Sequence, residues 1–178
     1  MRIIAGDYKG RVLHAPSDRR IRPTSDKVKE ALFSIIGFDI YDSICADIFA
    51  GTGNLGLEAI SRGAKKCYFG DSSAESIMLI KENIKICRAD EYSVVMHGDY
   101  KKTLSRIEEK IDIIFLDPPY KNHVFKDVMR VIKNNNMLNE NGMTVCEHEK
   151  EFLMPEELCG FSKIKERNYG KVVLSFYM

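Results

Sequence analysis

Four consecutive residues, Asp117-Pro118-Pro119-Tyr120, carry the most specific chemistry in this sequence. They follow the apolar run Ile111-Asp112-Ile113-Ile114-Phe115-Leu116, which reads as a strand, so the acid stands at a strand exit. The prolines fix φ at that exit and remove two backbone donors, leaving carbonyls directed by the loop. An exocyclic amine on a nucleobase is a poor nucleophile because its lone pair is conjugated into the ring. If the Asp117 carboxylate and the Pro118 carbonyl accept its two N–H protons, the lone pair can be aimed at an electrophilic methyl. Tyr120 offers a flat face on which a base can stack. An acid, a rigid carbonyl and an aromatic in that order suit transfer of a group to an amine.

Upstream, Gly51-Thr52-Gly53-Asn54-Leu55-Gly56 fits G-x-G-x-x-G, after a strand candidate and at the start of a helix candidate. Asp71 lies 20 residues beyond Gly51, at the end of the next strand candidate, where a carboxylate can hold ribose hydroxyls. Nicotinamide, flavin and S-adenosylmethionine sites all use such a loop. Three further acids favour S-adenosylmethionine. Asp47 stands just before the loop in Asp47-Ile48-Phe49-Ala50-Gly51, where it would repel a pyrophosphate but suit a ligand with an ammonium and a sulfonium. Asp99 ends the third strand candidate and Asp117 the fourth. In a parallel sheet these strand ends share one edge, outside which ligands bind. Any one of these acids could instead cap the helix that follows it, Asp99 above all.

The elements that must position these residues alternate along the chain. Strands are expected at Ile44–Ala50, Lys66–Gly70, Val94–His97, Ile111–Leu116 and Met143–Glu147, the last after the turn at 139–142. Helices are expected at Leu55–Arg62, Ala74–Arg88, Tyr100–Glu109 and Val124–Asn134. A further helix follows Pro23-Thr24-Ser25-Asp26, with Val28, Ala31, Leu32, Ile35 and Ile36 as its apolar stripe. This alternation implies an α/β fold, Rossmann-like and doubly wound, with a mainly parallel sheet. Lys163–Arg167 and Val172–Tyr177, joined through Asn168-Tyr169-Gly170, read as a C-terminal antiparallel hairpin at the sheet edge.

At 178 residues the chain fits one domain, and its longest apolar runs are far short of a membrane span. Without a signal-peptide pattern, its five cysteines read as reduced core thiols of a cytoplasmic protein. Cys146 and His148 share a strand face but are too few to bind zinc, so no metal is expected. The formal net charge of +1 argues against indiscriminate coating of nucleic acid. It is unevenly spread: residues 1–24 carry +4 and the remaining 154 carry −3. Ile3-Ile4 and Val12-Leu13 flank a glycine-containing turn, so a basic N-terminal β-hairpin and Arg-rich loop (1–24) are expected ahead of the main domain (25–178).

Taken together, these residues resemble the RsmD family, which methylates the N2 amine of one guanine in 16S ribosomal RNA. The resemblance runs nearly end to end, through Arg2-Ile3-Ile4-Ala5-Gly6, Lys9-Gly10-Arg11, Arg22-Pro23-Thr24, Glu30-Ala31-Leu32-Phe33, Asp47–Gly53, Leu55–Ala59, Asp117–Tyr120 and Tyr169-Gly170-Lys171. It implies S-adenosylmethionine held by Asp47, Phe49, Ala50, Gly51, Gly53, Asp71 and Asp99, with Asp117, Pro118, Pro119 and Tyr120 at the reacting amine. It also implies 16S rRNA as the partner, with Arg2, Lys9, Arg11 and Arg22 toward it. So small a chain with so little basic surface suits a structured target such as a small-subunit assembly intermediate, and a monomer is expected. The chain has Asp71-Ser72 where the family often has Glu-Lys, and Lys27 and Lys29 where arginines are common. Lysine lacks arginine's bidentate fork. Three alternatives stay open: methylation of an adenine N6 amine in RNA or DNA, a nicotinamide oxidoreductase, and a non-catalytic RNA-binding module.

Overall fold

The computed structural model describes residues 1–15, 25–118 and 124–178. Arg22, Pro119 and Tyr120 lie outside them. Helix α1 (Asp26–Ile36) is followed by β1 (Ile44–Asp47), α2 (Asn54–Ser61), β2 (Lys66–Asp71), α3 (Ala74–Cys87) and β3 (Ser93–His97). The chain continues through α4 (Tyr100–Leu104), β4 (Ile111–Leu116), α5 (Val124–Asn134), β5 (Leu138–Glu149), β6 (Glu157–Leu158), β7 (Phe161–Tyr169) and β8 (Val172–Tyr177). The strands form one sheet in the order β3-β2-β1-β4-β5-β8-β7-β6. β3 through β5 in that order pair in parallel, and the later pairings are antiparallel.

Alternate strand residues feed two cores. Cys45, Cys67, Phe69, Ile113 and Phe115 pack with α1, α2 and α3 on one face. Ala46, Tyr68, Ile114 and Leu116 pack with α5 on the other. Both faces are dry, so Ile113–Leu116 is apolar without alternation. The chain runs outward from β1 to β3, then returns to place β4 beside β1. That reversal opens a crevice at the carboxyl ends of β1 and β4.

The sheet matches the expected architecture, with instructive departures. The C-terminal hairpin puts its second strand inside: apolar β8 lies between β5 and β7, while β7, with Lys163, Lys165, Glu166 and Arg167, is pushed outward. The expected turn at 139–142 becomes a bulge inside a longer β5, where the register against β4 shifts between Ile111 and Ile113. Helix α4 stops at Leu104 rather than Glu109. Ser105 Oγ donates to the Lys102 carbonyl, and Arg106-to-Thr103 and Ile107-to-Leu104 backbone bonds, each spanning three residues, close the turn.

Helix α1 is rotated from its expected stripe: Val28, Lys29, Leu32, Phe33 and Ile36 are buried, while Ala31 and Ile35 are only partly so. Lys29 is turned inward by a partner on α2, a helix buried along its whole length. Lys29 Nζ lies 3.0 Å from Glu58 Oε2, and both side chains are fully buried. Glu58 also accepts from Ile4 N at 2.9 Å, Ala5 N at 3.0 Å and Arg62 Nε at 2.8 Å. Lys29 donates to Asn54 Oδ1 at 2.6 Å and the Arg2 carbonyl at 2.7 Å. Burial pulls the Lys29 ammonium below its ordinary value, against the upward pull of Glu58.

The N-terminal segment therefore sits on the domain as part of its core. It closes through one antiparallel bridge, Arg2 to Val12, and Ile3 is fully buried. Gly6, at φ +79°, lies so close to α2 that a Cβ there would fall 1.6 Å from the Ser61 carbonyl oxygen. Removing one member of a buried ion pair strands the other. Glu58→Ala should cost about 3–5 kcal/mol of unfolding free energy, read from the urea midpoint at unchanged m.

Candidate active site

The glycine loop leaves β1 at Ile48, whose N–H still bonds the Phe115 carbonyl of β4, while Ala50 N bonds the Gly70 carbonyl of β2. These bonds hold the loop between the two neighbours of β1. Gly53 takes φ +77° and caps α2 from the left-handed region. Gly56 allows close helix–sheet contact, since a Cβ there would lie 2.3 Å from the Phe69 ring and 2.7 Å from Cys67 Sγ.

Two of the predicted acids hold this loop. Asp71 Oδ2 accepts from Gly51 N at 2.8 Å, and its other oxygen accepts from Ser73 N at 2.8 Å. Asp47 lies beneath the loop, only 2% exposed, and accepts from Gly56 N at 3.1 Å. Burial pushes the Asp47 carboxyl up to about 7; the Gly56 N–H opposes this, while the Asp117 and Asp71 charges add to it. The parallel register, with Asp47 opposite Phe69 and Phe115, puts Asp71 and Asp117 at the same end of the sheet as Asp47. Asp99 is exposed and caps α4 by accepting from Lys102 N at 2.8 Å, the role its position had left open. Asp117 and Pro118 are partly buried at the exit of β4.

Phe49 and Ala50 lie on the loop, with the Phe49 ring 6.2 Å from that of Tyr100 and tilted by 48°. Tyr100, beside Asp99, reads from the sequence only as a helix start, and nothing local points to its contact with Phe49. The four basic residues expected to face RNA separate. Lys9 is exposed, and exposed Arg2 pairs with Asp26 at 2.9 Å. Arg11 is turned inward: Nη1 donates to the Ile86 carbonyl at 2.9 Å and the guanidinium lies 4.8 Å from the Tyr8 ring centre. Arg22 is outside the described residues. Lys29 and Glu58 were missed as a pair. Their sequence signal is a lysine four residues before Phe33 in α1 and a carboxylate among Leu55, Leu57, Ala59 and Ile60 in α2.

His148 bonds Ser175 Oγ at 2.9 Å and the Glu149 carbonyl at 3.0 Å, while Cys146 is fully buried. No group of three or more metal-ligating side chains occurs among the described residues. None of the described helices is long and apolar enough to cross a membrane.

The loop can take a ligand with hydroxyl and cationic groups. At Gly51 a Cβ would meet nothing closer than 4.0 Å, so the space above the turn is open to an approaching molecule. Its rim is carboxylate, which matches an ammonium, a sulfonium and ribose hydroxyls better than a pyrophosphate.

The family model described as Conserved hypothetical protein 95 matches residues 1–178. Two proteins named Ribosomal RNA small subunit methyltransferase D, from Haemophilus influenzae and Escherichia coli K12, are each 33% identical to the chain. Each match covers 99% of this chain, with 93% and 89% of the respective relatives. The solved structure of yhhF from Escherichia coli superposes with a TM-score of 0.89 at 28% identity, covering 99% of this chain and 96% of that one.

The raised Asp47 carboxyl has a consequence for stability. The folded chain holds a proton that the unfolded chain releases near pH 4, so this group's contribution falls as pH rises from about 4 to 7 and is flat above. Denaturant unfolding of wild type should lose about 2 kcal/mol between pH 5 and 7 from this residue. Asp47→Asn should lack that share of the slope.

Proposed function

This chain belongs to the RsmD family of small-subunit ribosomal RNA methyltransferases, and we propose that it transfers a methyl group from S-adenosylmethionine to the N2 amine of a guanine in 16S rRNA. It is an enzyme that methylates ribosomal RNA. Methyltransferase kinship decides against the oxidoreductase and non-catalytic alternatives. The observation that carries the cofactor part of this reading is the convergence of the strand ends that bear Asp47, Asp71 and Asp117 on an open glycine turn at the switch between β1 and β4, while the guanine N2 target rests on the family kinship.

The proposed division of labour follows from the donors and acceptors present. Asp71 presents carboxylate lone pairs to ribose hydroxyls, and the Gly51–Gly53 backbone allows close approach. Phe49 and Ala50 supply apolar contact, and Asp99 stands toward the adenine. Bound S-adenosylmethionine supplies a methyl made electrophilic by its sulfonium. The Asp117 carboxylate and Pro118 carbonyl accept the two N–H groups of the target amine, which orients its lone pair. Asp117, as a carboxylate at that amine, can also take the proton the amine must lose. Pro119 keeps the turn rigid, and Tyr120 stacks on the base extruded from its helix.

Residues 25–178 form the methyltransferase domain in this reading, and residues 1–24 a basic extension, of which the first 13 pack against that domain. Lys9, Arg2 and Arg22 face RNA phosphates, with Arg11 bracing the segment that presents them. The enzyme acts in the cytoplasm as a monomer, on a small-subunit assembly intermediate.

Labelled methyl should pass from S-adenosylmethionine to unmethylated small subunits, and nucleoside analysis should yield N2-methylguanosine. N6-methyladenosine would overturn the base assignment. Asp117→Ala should lower turnover at least about 100-fold while S-adenosylhomocysteine affinity changes only a few-fold. Because residues 1–13 contribute to the core, substitution tests the RNA contacts more cleanly than truncation. Lys9→Ala combined with Arg22→Ala should reduce the slope of log affinity against log salt by roughly 1–2.

A further inference from the structure

Asn83 is a polar residue among the buried apolar positions of α3 and is itself fully buried. Its side chain joins two segments far apart in sequence. Oδ1 accepts from His14 N at 2.7 Å, while Nδ2 donates to the His14 carbonyl at 3.1 Å and to the Thr52 carbonyl at 2.9 Å. The amide orientation is dictated, since one N–H and two carbonyls face it. Both amide protons are used and the oxygen is engaged, with no exposure to bulk water. Two further contacts join the same regions. Thr52 Oγ1 donates to Met1 Sδ at 3.4 Å, and Lys29 Nζ bridges the Arg2 carbonyl and Asn54 Oδ1.

Thr52 is the residue between the two glycines of the loop, and His14 leads along the chain toward Arg19, Arg20 and Arg22. We propose that Asn83 is a positioning residue that locks these two segments together, so that occupancy of the cofactor site and binding of RNA strengthen each other. This rests on the reading of the site as that of an S-adenosylmethionine-dependent rRNA methyltransferase. One planar amide cannot keep its bonds to both His14 and Thr52 if the two shift independently. A ligand that settles the turn at Thr52 therefore also settles His14 through the shared amide, so that less ordering is left to RNA binding at that segment. By linkage the effect is reciprocal.

The test is the ratio of RNA dissociation constants without and with saturating S-adenosylhomocysteine, using unmethylated small subunits as the probe. Wild type should show a ratio of at least about fivefold. Asn83→Ala should bring it close to one. His14→Pro removes the N–H shared with Asn83, together with the exposed imidazole contact to Glu82, leaves Asn83 and its bond to Thr52 in place, and should also lower the ratio. Both variants are checked by thermal melting; general loosening weakens both affinities without changing their quotient. A folded His14→Pro or Asn83→Ala variant with the wild-type ratio overturns the proposal. So does a wild-type protein that methylates small subunits but has a ratio of one, an outcome that leaves the enzymatic reading intact. A wild-type protein that binds no S-adenosylhomocysteine and transfers no methyl overturns that reading and the coupling with it.

Discussion

The Glu58 carboxylate sits where no solvent reaches it, and its charge is balanced by Lys29, Arg62 and two backbone N–H groups of the N-terminal segment. An ionised group in that setting is tolerated only while all its partners are in place. Two of those partners, Ile4 N and Ala5 N, come from the first few residues of the chain. The hairpin is consequently a condition for the central helix to hold its charge, and its departure would strand a carboxylate and an ammonium together. The inward turn of α1, the contact of Gly6 with Ser61 and the seating of Asn54 at the start of α2 all follow from satisfying this cluster.

That cluster lies directly behind the glycine loop, so the same helix start serves both the extension and the candidate cofactor site. The acids on the other side of the loop are similarly divided in purpose. Asp47 and Asp71 spend acceptor capacity on the loop backbone, and Asp99 spends it on a helix terminus. Burial raises the Asp47 carboxyl, and the neighbouring charges of Asp117 and Asp71 add to the rise. A cationic ligand at this edge would relieve that repulsion, which gives the acidic rim a physical preference for the cofactor proposed.

The charge asymmetry along the chain has a corresponding structural division. Arg11 is directed inward against Ile86 and Tyr8, whereas Lys9 and Arg2 are exposed. A count of cations in the first 24 residues therefore exceeds the charge those residues can present to a phosphate backbone. Part of that charge holds the segment against α3, and only the remainder is available for RNA.

The order of strands and helices was legible because apolar periodicity and turn residues are local properties. The glycine loop, the four acids at strand ends and the Asp117 turn were legible for a related reason. In parallel α/β units, the end of each strand in sequence is also one edge of the sheet in space. Pairings between distant residues were not legible. Nothing near Lys29 indicates that Glu58 will neutralise it, and nothing near Asn83 indicates that His14 and Thr52 will share its amide. The inner placement of β8 likewise depends on comparing the apolarity of two strands against a third. Sequence by itself determined which chemical groups reach the working edge, since strand direction carries them there. Tertiary packing alone decided which charges are spent inside the protein, because desolvation acts on neighbours in space and has no counterpart along the chain.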